Sequence, residues 1–125
     1  MKDIEFILYV ENQQLSKVFY EKLLLQKPVL DVPGMTEFQL AKNIKLGLMP
    51  NMGIAKIIGQ TMPHPQKGTG IPRCELYLKV DDAQQYINRG LQAGAKLVSA
   101  LQPRDWGDTA GYIADLDGHI IAFAE

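Results

Sequence analysis

Two apolar stretches of the same kind, Glu5-Phe6-Ile7-Leu8-Tyr9-Val10 and Glu75-Leu76-Tyr77-Leu78-Lys79-Val80, constrain this chain most. A shift of 70 residues lays Glu5 on Glu75, Leu8 on Leu78, Val10 on Val80 and Gln14 on Gln84. Each stretch is followed by a helical pattern and then by short strands, so the chain reads as an internal duplication. Each half has the order βαβββ. Such a unit leaves one face of its sheet uncovered by helix, and pairing two uncovered faces creates a cleft with the helices outside.

In the first half, strand alternation over Asp3 to Glu11 puts Glu5, Ile7 and Tyr9 on one face and Phe6, Leu8 and Val10 on the other. Asn12 is placed to cap the helix that follows. Leu15, Val18, Phe19 and Leu23 form its expected inner stripe, and Lys27-Pro28 ends it. Short strands are expected at Pro28 to Val32, Thr36 to Ala41 and Ile44 to Met49, with turns at Pro33-Gly34 and Lys42-Asn43. Residues 51–72 read as a connector between modules 1–50 and 73–125 of a single domain. It has a short helix at Asn51 to Gly59 and then a loop, Gln60 to Pro72, long enough to act as a lid.

In the second half, Asp82 is the expected cap of a helix with Ala83, Tyr86, Ile87 and Leu91 as its stripe and Gly94 as its stop. Lys96 to Gln102 reads as a strand and Arg104 onward as an extended connector. Asp117-Gly118 marks a hairpin turn between Tyr112-Ile113-Ala114 and His119 to Ala124. The final strand, β-branched and apolar, is expected to dock inside a sheet. Cys74 precedes an inward glutamate and so is expected to be buried against a helix.

The net charge of −1 leaves no basic footprint for nucleic acid or for an anionic membrane. One cysteine excludes an internal disulfide and any cysteine-based zinc cluster. Nothing near Met1 resembles a signal peptide, and no apolar run is long enough to span a bilayer, so a cytoplasmic location is expected.

Three stretches resemble one family. Tyr9 to Leu24, Glu75 to Asp82 and, most specifically, Arg104 to Glu125, with Trp106-Gly107 followed by Asp115-Leu116-Asp117-Gly118-His119, are similar to the vicinal oxygen chelate superfamily. That group includes glyoxalase I, bleomycin-resistance proteins and extradiol dioxygenases. The resemblance implies an α+β fold of two βαβββ modules forming a curved mixed sheet around a cleft, and a homodimer. It does not fix the chemistry, because this scaffold hosts many activities.

The resemblance also implies where metal-dependent members hold a divalent ion. Those positions fall on Glu5, Glu75, Lys45 and Ala122. Lys45 is a cation, Ala122 has no donor, and two carboxylates are a poor set for a divalent ion. No cofactor is therefore expected, and a divalent metal is disfavoured. Alternation lines the cleft with Glu5, Ile7, Tyr9, Gln39, Lys45, Gly47, Met49, Glu75, Tyr77, Ala122 and Ala124. Arg104 and Trp106 are placed at its rim. Such a lining suits a small organic ligand fixed by a few polar groups.

On this reading Tyr9, Lys45, Met49, Tyr77, Arg104 and Trp106 contact the ligand. Glu5 and Glu75 are the candidate catalytic carboxylates, unless Glu5, Lys45 and Glu75 form a structural ion cluster. The expected function is a metal-free small-molecule binder like the bleomycin-resistance proteins. The alternative is a lyase or isomerase related to glyoxalase I, metal-dependent or using a glutamate base.

Overall fold

The computed structural model describes residues 1–125. The elements run β1 (Ile4–Val10), α1 (Gln13–Leu24), β2 (Leu30–Val32), β3 (Met35–Ala41), β4 (Ile44–Pro50), α2 (Asn51–Ile58), a 3-10 turn (Pro65–Gly68), β5 (Glu75–Lys79), α3 (Ala83–Gln92), β6 (Lys96–Pro103), β7 (Thr109–Ala114) and β8 (Ile120–Ala124). The strands form two four-stranded sheets, β1-β4-β3-β2 and β5-β8-β7-β6. The duplication is therefore exact in topology: the first strand of each half pairs in parallel with the last, and the other neighbours are antiparallel. Two compact units result, residues 1–21 with 25–69, and residues 22–24 with 70–125.

In the first unit the side of the sheet facing α1 buries Leu8, Val10, Phe38, Leu46 and Leu48. Asn12 caps α1 by accepting the Leu15 N–H at 2.9 Å. The buried stripe of this helix is Ser16, Phe19, Tyr20 and Leu23, whereas Leu15 and Val18 are exposed. The helix is thus rotated by about one position from the expected stripe. Tyr20, packed edge-on against Phe19 and tilted against Phe38, is the large residue that claims the interior. The Gln13 amide ties the β2–β3 hairpin to the helix start: it donates to Val32 O and Thr36 Oγ1 and accepts the Gly34 N–H.

In the second unit α3 packs against β6, β7 and β8. Asp82 caps it by accepting the Gln85 N–H at 3.1 Å. Ala83, Ile87 and Gly90 are its buried residues, Tyr86 stacks on Phe123, and Leu91 stays exposed. The last strand is central, between β5 and β7, with Ile121, Ala122, Phe123 and Ala124 buried. No helix is long and apolar enough to cross a membrane.

Two local expectations are corrected. Cys74 is exposed, because β5 starts one residue later and the cysteine belongs to the end of the connector rather than to the sheet. Residues 104–108 are a closed turn, not an extended connector. The Arg104 N–H donates to Asp108 O at 2.8 Å and the Gly107 N–H to Arg104 O at 3.1 Å, with Gly107 at φ 102°. The β7–β8 turn is organised by Asp115, whose Oδ1 accepts the N–H groups of both Asp117 and His119 at 2.9 Å.

Candidate functional site

In the first unit, β4 lies between β1 and β3, and the register sets Glu5 beside Lys45, Ile7 beside Gly47, and Tyr9 beside Met49. On the other side Glu37 stands opposite Gly47 and Gln39 opposite Lys45. One face of the sheet therefore carries Glu5, Ile7, Tyr9, Lys45, Gly47, Met49, Met35 and Glu37. Ile7 is 39% and Tyr9 40% exposed, so within this unit the face is open, unlike the apolar side beneath it.

Charge gathers at one end of this face. The Lys45 ammonium lies 3.0 Å from Glu37 Oε1 and donates to it. The Glu5 side chain leans over Gly47. A Cβ built at position 47 would stand 2.5 Å from Glu5 Oε1, 3.1 Å from Ile7 Cγ1 and 3.2 Å from Met35 Sδ. A side chain at this position would have to displace the tip of Glu5. Glu5 is exposed as a residue, and its Oε1 lies over the strand at Gly47.

Partial burial of that carboxyl, followed by the charge of Glu37 and the hydrogen bond with it, raises the Glu5 pKa, while Lys45 works in the opposite direction. The Lys45 pKa is raised, first by its hydrogen bond to Glu37 and then by the Glu37 charge.

The second unit has its own polar–aromatic group. The Trp106 indole N–H donates to the Tyr77 hydroxyl at 2.9 Å, and that hydroxyl donates to Asp108 Oδ2 at 2.8 Å. The Lys79 ammonium donates to Asp108 Oδ1 at 3.1 Å. Burial raises the Tyr77 pKa, and the Asp108 pKa is lowered first by the Tyr77 hydrogen bond and then by that of Lys79. The Trp106 ring itself is 59% exposed.

Arg104 is not a free cation at a rim. Its guanidinium donates to Ala110 O, Ser99 Oγ and Ala100 O, and lies over the Tyr112 ring at 5.0 Å. Glu75 is exposed, and its side chain joins no hydrogen bond or ion pair. Within the first unit, Glu5 and Lys45 share their end of the face with Glu37. Gln39 lies on the expected strand, but its amide donates to the carbonyls of Ala41, Lys42 and Ile44 and closes the β3–β4 turn.

Sequence reasoning missed Glu37, Lys79 and Asp108. The signal for Glu37 was available: it shares the two-residue period of Gln39 on the same strand.

The residues do not fit a divalent ion. No group of three or more His, Cys, Asp or Glu side chains converges. The ammonium of Lys45 already occupies Glu37, and neither Ala122 nor Ile120, the register partner of Glu75, offers a donor.

A chain that repeats a βαβββ unit, each with a parallel first-to-last strand pair, has the plan of the vicinal oxygen chelate superfamily. The family model described as a glyoxalase-like domain matches residues 4–125, and the chain belongs to that family. It is similar to an uncharacterised protein of Mycobacterium bovis, 35% identical over 115 residues that cover 90% of this chain and 75% of the relative. A glyoxalase-related enzyme from Fulvimarina pelagi has a similar structure, with TM-score 0.81 at 22% identity, covering 97% of this chain and 85% of that one. So does a glyoxalase/bleomycin resistance protein/dioxygenase family enzyme from Burkholderia phytofirmans, with TM-score 0.74 at 12% identity, covering 96% and 94% of the two chains.

Proposed function

We propose that this protein binds a small organic molecule on the open face of its first unit, without a metal ion. The observation that carries this reading is the position of Lys45. Its ammonium, held by Glu37 at 3.0 Å beside Glu5, supplies built-in positive charge at the place where metal-dependent relatives would be expected to hold an acidic ligand. Ile7, Tyr9 and Met49 continue the face with apolar and aromatic surface, which is the mixture an organic ligand needs. In the second unit, taken by itself, Tyr77 and Trp106 present a further candidate contact surface.

The test pairs elemental mass spectrometry of protein purified without chelator with ligand-observed NMR against small organic acids, amines and neutral aromatics. Metal-free protein that binds members of the set, with loss of binding in Lys45→Met, is the expected result. Near-stoichiometric divalent metal that disappears in a Glu5→Gln, Glu75→Gln variant would overturn it.

A second reading is a lyase or isomerase in which Glu5 acts as general base. The raised pKa of Glu5 favours it, since such a base works best near the operating pH. Turnover abolished by Glu5→Gln with the fold intact would decide for it, and the same substitution at Glu75 tests the second candidate.

We also propose a homodimer. Ile4, Phe6, Ile7 and Tyr9 on the edge strand β1, together with Leu97 and Val98 on the edge strand β6, are large apolar side chains left 39–51% exposed. Analytical ultracentrifugation showing a monomer at micromolar concentration would end that proposal.

A further inference from the structure

The connector that follows α2 contains a short 3-10 turn, Pro65–Gly68, and His64 stands immediately before it. Pro65 opens the turn and has no N–H, so Gln66 carries its first backbone donor. That N–H donates to the imidazole Nδ1 of His64 at 3.1 Å. Two backbone bonds close the turn: the Lys67 N–H donates to His64 O at 3.0 Å and the Thr69 N–H to Gln66 O at 3.2 Å. His64 therefore serves the turn twice, through its ring and through its carbonyl.

The ring accepts only while Nδ1 has no proton, that is, in the neutral form with the proton on Nε2. In the imidazolium both nitrogens are donors, so the Gln66 N–H would face a second donor. The usual capping residues, serine and asparagine among them, carry no such dependence. Histidine is the side chain that changes charge between about pH 5 and 8. His64 is half-buried, so its ring stays within reach of solvent. The element lying against the turn is α2, whose one charged residue is Lys56, and the turn itself carries Lys67. Neither lysine can pair with an imidazolium.

We propose that His64 is a pH-sensitive clasp of the connector: its neutral imidazole caps the Pro65–Gly68 turn, and protonation of the ring uncaps the turn and loosens residues 64–69. The device needs no ligand. It also owes nothing to the second histidine, His119, which belongs to the second unit.

The test is nitrogen-15 NMR of the full chain at about pH 7.5 and about pH 5.5, inside the range over which histidine titrates. The Gln66 amide proton is expected to shift with the same midpoint as the His64 ring. Solvent-exchange protection of the Lys67 and Thr69 amides, corrected for the intrinsic pH dependence of exchange, is expected to fall about fivefold in acid, the ratio a typical cap sustains. His64→Asn keeps a capping acceptor that does not titrate, and it should hold the protection at both pH values. His64→Ala should lack it at both, and His119→Gln should respond to pH as the wild type does. A Gln66 shift that ignores the His64 ring, equal wild-type protection at the two pH values, a His64→Asn variant that loses as much in acid as the wild type, or a response abolished by His119→Gln would each overturn the proposal.

Discussion

The Trp106 indole N–H is spent on the Tyr77 hydroxyl, 2.9 Å away, while the Trp106 ring remains 59% exposed. The polar end of the side chain is thus anchored while much of the residue stays open to solvent. Tyr77 is held in turn by Asp108, and Asp108 by the turn that carries Trp106. Since this is the only tryptophan, its fluorescence reports the arrangement directly. Tyr77→Phe is expected to leave the fold intact, to shift the emission and to increase acrylamide quenching as the indole loses its anchor. Unchanged emission and quenching would show that the turn alone fixes the ring.

Two buried glycines of the second unit should respond differently to the same change. A Cβ at Gly111 would meet Ile87 Cδ1 at 2.5 Å and, on its other side, the Leu101 backbone at 3.0 and 3.2 Å. Backbone cannot step aside as a side-chain tip can, so Gly111→Ala should cost about 1–3 kcal/mol by overpacking. At Gly90, in α3, the close neighbours at 2.5 and 3.3 Å are the methyl ends of Ile113 and Leu23. Alanine gains about 1 kcal/mol over glycine within a helix, which offsets part of that clash. Gly90→Ala should therefore be the milder of the two in urea unfolding, and the reverse order would refute the packing argument.

Arg104 illustrates a residue whose role is set by the fold around it. Four hydrogen bonds to Ala110 O, Ser99 Oγ and Ala100 O bind the β6–β7 connection together. Arg104→Ala should cost at least about 2 kcal/mol, since a part-buried carbonyl left without its partner costs roughly 1–3 kcal/mol. Arg104→Lys should restore little of this, because an ammonium lacks the planar fork that reaches several acceptors at once. Equal stability of the lysine variant and the wild type in denaturant would contradict this account.

What could be read beforehand was whatever depends on period and order. Alternation along one strand placed Glu5, Ile7 and Tyr9 together, and the register bears this out across to Lys45, Gly47 and Met49. The repeat gave the order of elements in both halves, and the strand order within each sheet came only with the fold. What escaped depends on side chains meeting across strands or around turns. Glu5 leans over Gly47, which has no side chain and stands opposite Glu37 in the β3–β4 register. The inner stripe of α1 was misjudged because hydropathy ranks Leu15 and Val18 above Tyr20, while volume and ring packing favour Tyr20. Asp117-Gly118 correctly marks the last turn, but the carboxylate that holds it belongs to Asp115, and only the folded geometry reveals its two N–H donors.

The pH dependence of stability follows from groups of opposite sign. Asp31 lies below its usual value of 3.8 through its hydrogen bonds with Lys17 and then Thr36, and Asp108 below the same value through Tyr77 and then Lys79. A lowered native value means the unfolded chain binds the proton more readily. These two contributions are therefore complete above pH 3.8 and are lost as pH falls through the native values. Glu5 runs the other way: its native value is raised above 4.5, so its contribution is complete below that pH and is lost as pH rises through the native value. Melting temperatures measured across the acid range should separate the two. Asp108→Asn and Asp31→Asn should be less stable than wild type at neutral pH and converge with it in acid. Glu5→Gln should hold its stability better than wild type as the pH rises past 4.5, because the neutral amide needs no proton to sit beside Glu37. A Glu5→Gln variant that instead loses stability steadily toward neutral pH, relative to wild type, would mean that Glu5 acts mainly as the ion-pair partner of Lys45.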